Sequence, residues 1–377
     1  MAKQSKQQQK KQPRYGLIVW PVVIVAAFAA LYFGGKKLIE SRRNNSANSE
    51  PEFSSALLQT QAETTAVTTT TTAKYPTAPE LSTETVTVDD PAKVLARNFL
   101  LVECEGNGSK VLLEHGSDQE IYPASMTKMM TLITLRELLT DEALDGTVIM
   151  DAGVIAEQEA KMAYVAGFKA GEVCTVKDLV YAMMLPSGAD AAVMLAKYAA
   201  GSEAAFVECM NQLAAEMGLE HSVFRNVTGL HDDGHVSSVT DMARILHYAI
   251  SDPFCPEAMS TLEYTTSVTE EHPEGIHLVS TTLSRMVGDE LETIPNPLHV
   301  RGGKTGFTNP AGQCLATWAE DASGKTYICV VAGSTTFEPL DAVGDTLTLY
   351  KMTCLPPESV QRVTLDAADL PLYEHIT

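Results

Sequence analysis

Hydrophobic and polar positions divide the chain into four stretches. Residues 1–14 are polar and basic, with Lys3, Lys6, Lys10, Lys11 and Arg14 and no acid. Residues 15–35 are uncharged around the unbroken apolar run Leu17–Phe33. At about 1.5 Å per residue that run is just long enough to cross a hydrocarbon core of roughly 30 Å. It exceeds the ~7–15 residues of a typical signal-peptide core, although Ala27-Phe28-Ala29 offers small residues for cleavage. It predicts a transmembrane signal anchor at 15–35 preceded by a basic cytoplasmic segment. Residues 36–90 are rich in Thr, Ser and Glu, with five consecutive threonines at Thr68–Thr72 and prolines at Pro76 and Pro79. Such a segment buries too little apolar surface to offset its conformational entropy, so a disordered linker is predicted.

Periodicities of folded structure begin near residue 91. Phe99–Glu105 and Lys110–Glu114 flank Gly106-Asn107-Gly108-Ser109 and predict a β-hairpin. Pro123 opens a helical stretch, Ala124 to about Leu139, in which Lys128 is the only charge between Met126 and Leu135, so the helix is expected to be buried. Further helices are predicted over 176–184, 189–200, 203–217 and 240–250. Gln313–Glu320 and Thr326–Ala332, joined by Asp321-Ala322-Ser323-Gly324, form a second hairpin signal. Strands at both ends with helices between them predict an α+β domain over 91–352, followed by a C-terminal tail, 353–377.

The net charge is −21, but residues 1–43 carry about +8, which leaves about −29 for the rest. A body that acidic excludes nucleic acid as a partner, which requires a basic footprint. The positive charges that follow the apolar run, Lys36, Lys37, Arg42 and Arg43, leave only a slight lean in orientation. The seven cysteines are scattered with no CxxC pair, which argues against a zinc site or a thioredoxin-like motif.

Three short segments carry candidate chemistry. In Ser125-Met126-Thr127-Lys128 the serine and lysine fall on one helix face. At the first helical turn, free N–H groups and the helix dipole favour developing negative charge. A serine hydroxyl needs a base to become a nucleophile, and Lys128 can act as one if burial leaves it neutral. Ser187-Gly188 can cap a helix starting near Ala189 or relay a proton. In Gly303-Lys304-Thr305-Gly306-Phe307 the glycines allow a ligand backbone to approach a strand, and Lys304 and Thr305 can hold a carboxylate. His231, Asp232, Asp233 and His235 read as a turn between Gly229 and Gly234 rather than as a metal cluster, and no metal or cofactor is expected.

SxxK, a serine 62 residues on and KTG 179 residues on form the pattern of the penicillin-binding and serine β-lactamase group. With Tyr122-Pro123-Ala124, Met184-Leu185-Pro186 and Gly229–Ser237, the chain resembles the D-alanyl-D-alanine carboxypeptidases. The resemblance implies a β-lactamase/transpeptidase-like fold: an antiparallel sheet flanked by helices, plus an all-helical subdomain, with the cleft between them. It implies a peptidoglycan stem peptide as substrate, Ser125 as nucleophile, Lys128 as its base and Ser187 as a proton relay. Lys304, Thr305, Gly306 and Phe307 would bind substrate, with the N–H groups of Ser125 and Phe307 as oxyanion hole. β-Lactams would acylate Ser125 as covalent inhibitors. Such a domain works outside the cytoplasm, so a single-pass cell-membrane protein with an extracytoplasmic catalytic domain is expected. Two features depart from the family. Ala189 stands where an asparagine is usual, and Arg362 is the only arginine after Lys304, too late to grip a substrate carboxylate. They keep open a weakly active penicillin-binding or wall-sensing protein. A β-lactamase would need a deacylating glutamate that the sequence does not place.

Overall fold

The computed structural model describes residues 74–80, 94–286, 298–334 and 341–353. The predicted anchor at 15–35 and the tail beyond 353 lie outside these. No helix among the described residues is long and apolar enough to cross a membrane.

The frame is a five-stranded antiparallel sheet in the order β2-β1-β9-β8-β7. Its strands are β1 (Asn98–Glu105), β2 (Gly108–His115), β7 (His299–Thr308), β8 (Gly312–Glu320) and β9 (Thr326–Ser334). Both predicted hairpins are present, and β1 pairs with β9, so the two ends of the domain close on each other. Alternate side chains serve two cores. Phe99, Leu101, Leu315, Cys329 and Val331 pack with Leu349 and Tyr350 of α8 (Asp341–Thr353). Leu100, Val102, Ala316, Ile328 and Val330 face the larger core shared with the remaining helices. Because β1 is covered on both faces through Val102, it carries the unbroken apolar run Phe99–Val102 and alternates only loosely.

The helical part comprises α1 (Thr127–Leu138), α2 (Ala152–Ala160), α3 (Val176–Met184), α4 (Ala189–Ala200), α5 (Glu203–Met217), α6 (Val239–Ser251) and α7 (Cys255–Ser260). Helix α1 is buried around its circumference through Leu135, as its lack of charge implies, and packs against α4 and α6. It starts later than expected. Ala124–Met126 is a separate 3₁₀ turn, and Ala124 itself has φ +46, which no continuous right-handed helix accepts. Two short antiparallel strand pairs join the helices: β3 (Thr147–Ile149) with β4 (Val173–Thr175), which flank α2, and β5 (Glu263–Thr265) with β6 (His277–Val279), the second hairpin below. Asp178, in the capping box that starts α3, accepts from Tyr264 Oη at 2.9 Å and Ser267 N at 3.0 Å, tying the second hairpin to the helices. The six cysteines within these residues are free thiols, four of them buried.

The linker predicted over 36–90 is not disordered throughout. Residues 74–80 are docked on the domain. Thr77 N donates to Asn107 O and Glu80 N to Ser109 O, both at 2.9 Å, while Glu80 O accepts from Val111 N at 3.1 Å. Tyr75 packs edge-on against Tyr248, and Lys74 pairs with Glu137 at 2.8 Å. Composition missed this because the partner is an exposed strand edge, whose unpaired backbone groups accept any sequence able to lie extended.

Candidate active site

The turn that carries Ser125 is held from two sides by backbone with no room for a side chain. At Gly229, with φ +79, a Cβ would stand 1.8 Å from Ala124 O. At Gly306 in β7 it would stand 3.0 Å from Pro123 O and 3.1 Å from Ser125 N. Strand β7 and the 227–230 loop therefore clasp the turn and impose the left-handed conformation of Ala124, at a cost of about 1–3 kcal/mol. A third tie comes from His235. Its Nδ1 accepts from Arg225 N at 3.1 Å, so its proton is on Nε2, which donates to Thr127 Oγ1 at 2.8 Å. Burial pushes His235 down to about 4 and keeps it neutral. The 231–235 segment is thus a turn, as expected, but His235 is the anchor of α1's first residue. Among the described residues no group of side chains could hold a metal ion.

Lys128, the second residue of α1 and three residues on from Ser125, is 2% exposed. Its Nζ lies 3.0 Å from Ser125 Oγ and 2.7 Å from Thr228 O. Burial lowers its pKa to about 7, against a partial opposing pull from the Asp190 charge. An amine so placed is substantially neutral near pH 7 and can accept the serine proton. The Thr228 carbonyl fixes the amine without any side chain from position 189.

Ser125, Lys128, Ser187, Thr305, Gly306 and Phe307 line one cleft of about 580 Å³. The predicted site residues therefore converge. Lys304 is fully buried; two residues before Gly306, it lies on the same face of β7, towards the Ser125 turn, and its Nζ donates to the Thr305 carbonyl at 3.1 Å. Burial, then the charges of Lys128 and Arg285, hold its pKa well below the usual lysine range.

Ser187 does not cap α4. The N-cap is Gly188, with no side-chain bond, while Ser187 takes φ +73 and its buried Oγ has no hydrogen-bond partner. Ala189 lines the cleft at 2% exposure, and its N–H donates to Tyr164 O at 2.8 Å. Asp190 turns away as expected, to accept from Ala166 N at 2.9 Å, yet its charge is felt at Lys128.

Sequence reasoning missed Arg285. It follows Thr281, whose Oγ1 lies 2.8 Å from Thr305 Oγ1, and it lines the same end of the cleft. Among the described residues the cleft lining has Arg285 as its lasting cation and no carboxylate, a field suited to an anion. Eighteen residues and no motif lie between Arg285 and Lys304, so only the fold relates them.

Residues 84–336 match the family described as D-alanyl-D-alanine carboxypeptidase. The chain is 36% identical over 248 residues to D-alanyl-D-alanine carboxypeptidase DacF of Bacillus subtilis, covering 64% of this chain and 58% of that one. It is 30% identical over 301 residues to DacA of Escherichia coli, covering 78% and 70%. Among solved structures, a Streptomyces DD-transpeptidase superposes with TM-score 0.61 at 25% identity, over 71% of this chain and all of that one. Penicillin binding protein 5 of Haemophilus influenzae superposes with TM-score 0.59 at 27% identity, over 70% and 72%.

Proposed function

The chain belongs to the D-alanyl-D-alanine carboxypeptidase family of serine peptidases, and on that premise we propose that it removes the terminal D-alanine from peptidoglycan stem peptides through an acyl-enzyme on Ser125. One observation carries the reading: a buried amine with a pKa brought to about 7, 3.0 Å from a serine hydroxyl at the cleft. Lys128 takes the Ser125 proton as Oγ attacks the carbonyl of the penultimate D-alanine. The N–H groups of Ser125 and Phe307 receive the oxyanion, an arrangement in which each donor contributes about 2.7–4 kcal/mol in comparable sites. Thr305 and Arg285 grip the terminal carboxylate, and Lys304 holds the strand beneath it through the Thr305 carbonyl. The C–N bond breaks, the leaving D-alanine takes a proton relayed through Ser187, and water then hydrolyses the ester to free Ser125. β-Lactams stop at the ester. The apolar run at 15–35 holds the domain at the outer face of the cell membrane.

Labelling with a fluorescent penicillin, paired with D-alanine release from a synthetic stem peptide, tests this. Both are expected in the full chain and both vanish in Ser125→Ala. Label that survives the substitution removes Ser125 as nucleophile. Ala189 favours a second reading, a weakly active penicillin-binding or wall-sensing protein. Normal labelling without D-alanine release selects it.

A further inference from the structure

Among the described residues three non-glycines take a left-handed backbone: Ala124, which precedes the nucleophile, and Met162 and Ser187, which line the cleft. The clasp around the Ser125 turn accounts for Ala124, and Ser187 belongs to the proposed machinery. Met162, at φ +55, remains. It follows the end of α2, where Met162 N donates to Glu159 O at 2.9 Å and Ala163 N to Gln158 O at 3.0 Å. Helix α5 ends with the same pair of bonds, Gly218 N to Ala215 O at 3.0 Å and Leu219 N to Ala214 O at 2.9 Å. There the left-handed residue is a glycine, Gly218, at φ +67. Helix α4 also ends on a left-handed glycine, Gly201. Nothing lies within 4 Å of the point a Gly201 Cβ would occupy, so the backbone conformation alone accounts for that glycine. Glycine is the residue such helix ends favour. A methionine there is a strained choice, and no packing compels it, because Met162 is 92% exposed.

The position of the side chain gives the strain a use. Met162 and Phe307 are the exposed large apolar residues that line both the cleft and an adjoining cavity of about 760 Å³. Phe307 belongs to β7, and Met162 follows α2, which packs on α4, so the two stand at the mouth on opposite walls. Tyr164, 59% exposed, continues the apolar rim on the α4 side. A methionine side chain is unbranched, apolar and polarisable, and adapts to surfaces of different shape. We propose that Met162 is a ligand-contacting arm, which swings from solvent onto the acyl group held at Ser125 and closes the mouth against Phe307. Closure shuts water away from the reacting carbonyl, strengthens the pull of the oxyanion donors, and adds apolar contact that the open cleft lacks. This rests on acylation of Ser125 and adds a contact that no motif marks.

The test sets stability against rate. Met162→Gly relieves the left-handed backbone, so its thermal midpoint is expected to hold or rise. In the same variant kcat/KM for acylation by a penicillin and by a D-Ala-D-Ala peptide is expected to fall about fivefold. Met162→Leu keeps both the apolar arm and the strain, and is expected to restore most of the rate without raising the midpoint. Unchanged acylation in Met162→Gly overturns the proposal, as does a fall in rate that accompanies a fall in the midpoint. Oxidative footprinting reads the arm directly. Dilute hydrogen peroxide converts exposed thioethers to sulfoxides. Mass spectrometry is expected to show sulfoxide forming at Met162 several-fold more slowly once a penicillin has acylated Ser125, and equal oxidation with and without the acyl group overturns the proposal. If penicillin fails to label Ser125, the carboxypeptidase reading fails separately. The same footprint on Ser125→Ala with a D-Ala-D-Ala peptide then decides the arm: protection supports it and equal oxidation overturns it.

Discussion

The two walls of the cleft are finished to different degrees. On the side of the Ser125 turn and β7, the polar groups around the nucleophile are engaged: Lys128 with Ser125 and Thr228, Thr127 with His235, and Thr305 with Thr281. On the α4 side, Ser187 Oγ and Asp190 Oδ2 are buried without partners, and position 189 offers only a methyl group. The first wall is set before any ligand arrives, and the second keeps hydrogen-bonding capacity that a substrate must complete. Attack on the carbonyl draws on the first wall and departure of the amine on the second. The difference therefore predicts a protein better prepared to attack a carbonyl than to expel the amine whose departure completes the acyl-enzyme.

Lys128 is the severest test. Lys128→Met removes the base and should lower penicillin acylation about 10²- to 10⁴-fold, while thermal stability holds because a costly buried amine is gone. In the unsubstituted chain the acylation rate should rise with pH through about 7, since only the neutral amine accepts the proton. A flat profile between pH 6 and 8 would move the base elsewhere. Gly229→Ala comes next. Its Cβ meets Ala124 O at 1.8 Å, so the turn must move, and a displacement of about 1 Å in a reacting group costs on the order of 10² in rate. Stopped-flow acylation at wild-type speed would mean that the turn is not held as tightly as these contacts imply.

The finished wall also sets a pH limit on stability. The His235 pKa is depressed to about 4 from its ordinary 6.5, so the unfolded chain binds the proton more readily. The stabilisation is fully present above about pH 6.5 and is lost as pH falls towards 4. It amounts to about 3 kcal/mol on an order-of-magnitude scale. Urea midpoints measured across that range should drop, and His235→Asn should flatten the drop while lowering stability at pH 7. A slope unchanged by the substitution would assign it to other groups.

The sequence revealed the first wall better than the second for a physical reason. Ser125 and Lys128 are three residues apart on a local turn, and their relation follows from helical periodicity. The hairpins of the sheet were legible from turn residues, and KTG from its glycines. The 3₁₀ turn was not, because Ala124 adopts φ +46 only under pressure from Gly229 and Gly306, about 100 and 180 residues away. Arg285, Thr228 as the group that fixes Lys128, and the complete burial of Lys304 beneath the Ser125 turn are likewise products of tertiary packing. Residues 74–80 looked like linker because their partners are backbone atoms of β2 and side chains far along the chain.

Arg285 gives a smaller and more selective effect. It lines the carboxylate end of the cleft without belonging to either wall's hydrogen-bond network, so Arg285→Gln should raise KM for a free-acid stem peptide about tenfold, the equivalent of ~1.4 kcal/mol. The same peptide with an amidated C-terminus should show no such change. Equal losses on both peptides would make Arg285 a structural residue.

The mildest substitution addresses the unfinished wall directly. Ala189→Asn restores an amide where the cleft now has a methyl group, without touching the Lys128–Thr228 bond that already fixes the base. Its backbone bond to Tyr164 O is independent of the side chain, and the residue lines open space, so the fold should accept the change. A neutral hydrogen bond contributes about 0.5–1.5 kcal/mol, so acylation by a stem peptide should quicken roughly two- to tenfold. The gain should exceed that for a penicillin lacking the peptide backbone such an amide would engage. If both ligands acylate at unchanged rates, Ala189 is not what separates the walls, and the unpaired hydroxyl of Ser187 becomes the group to alter next.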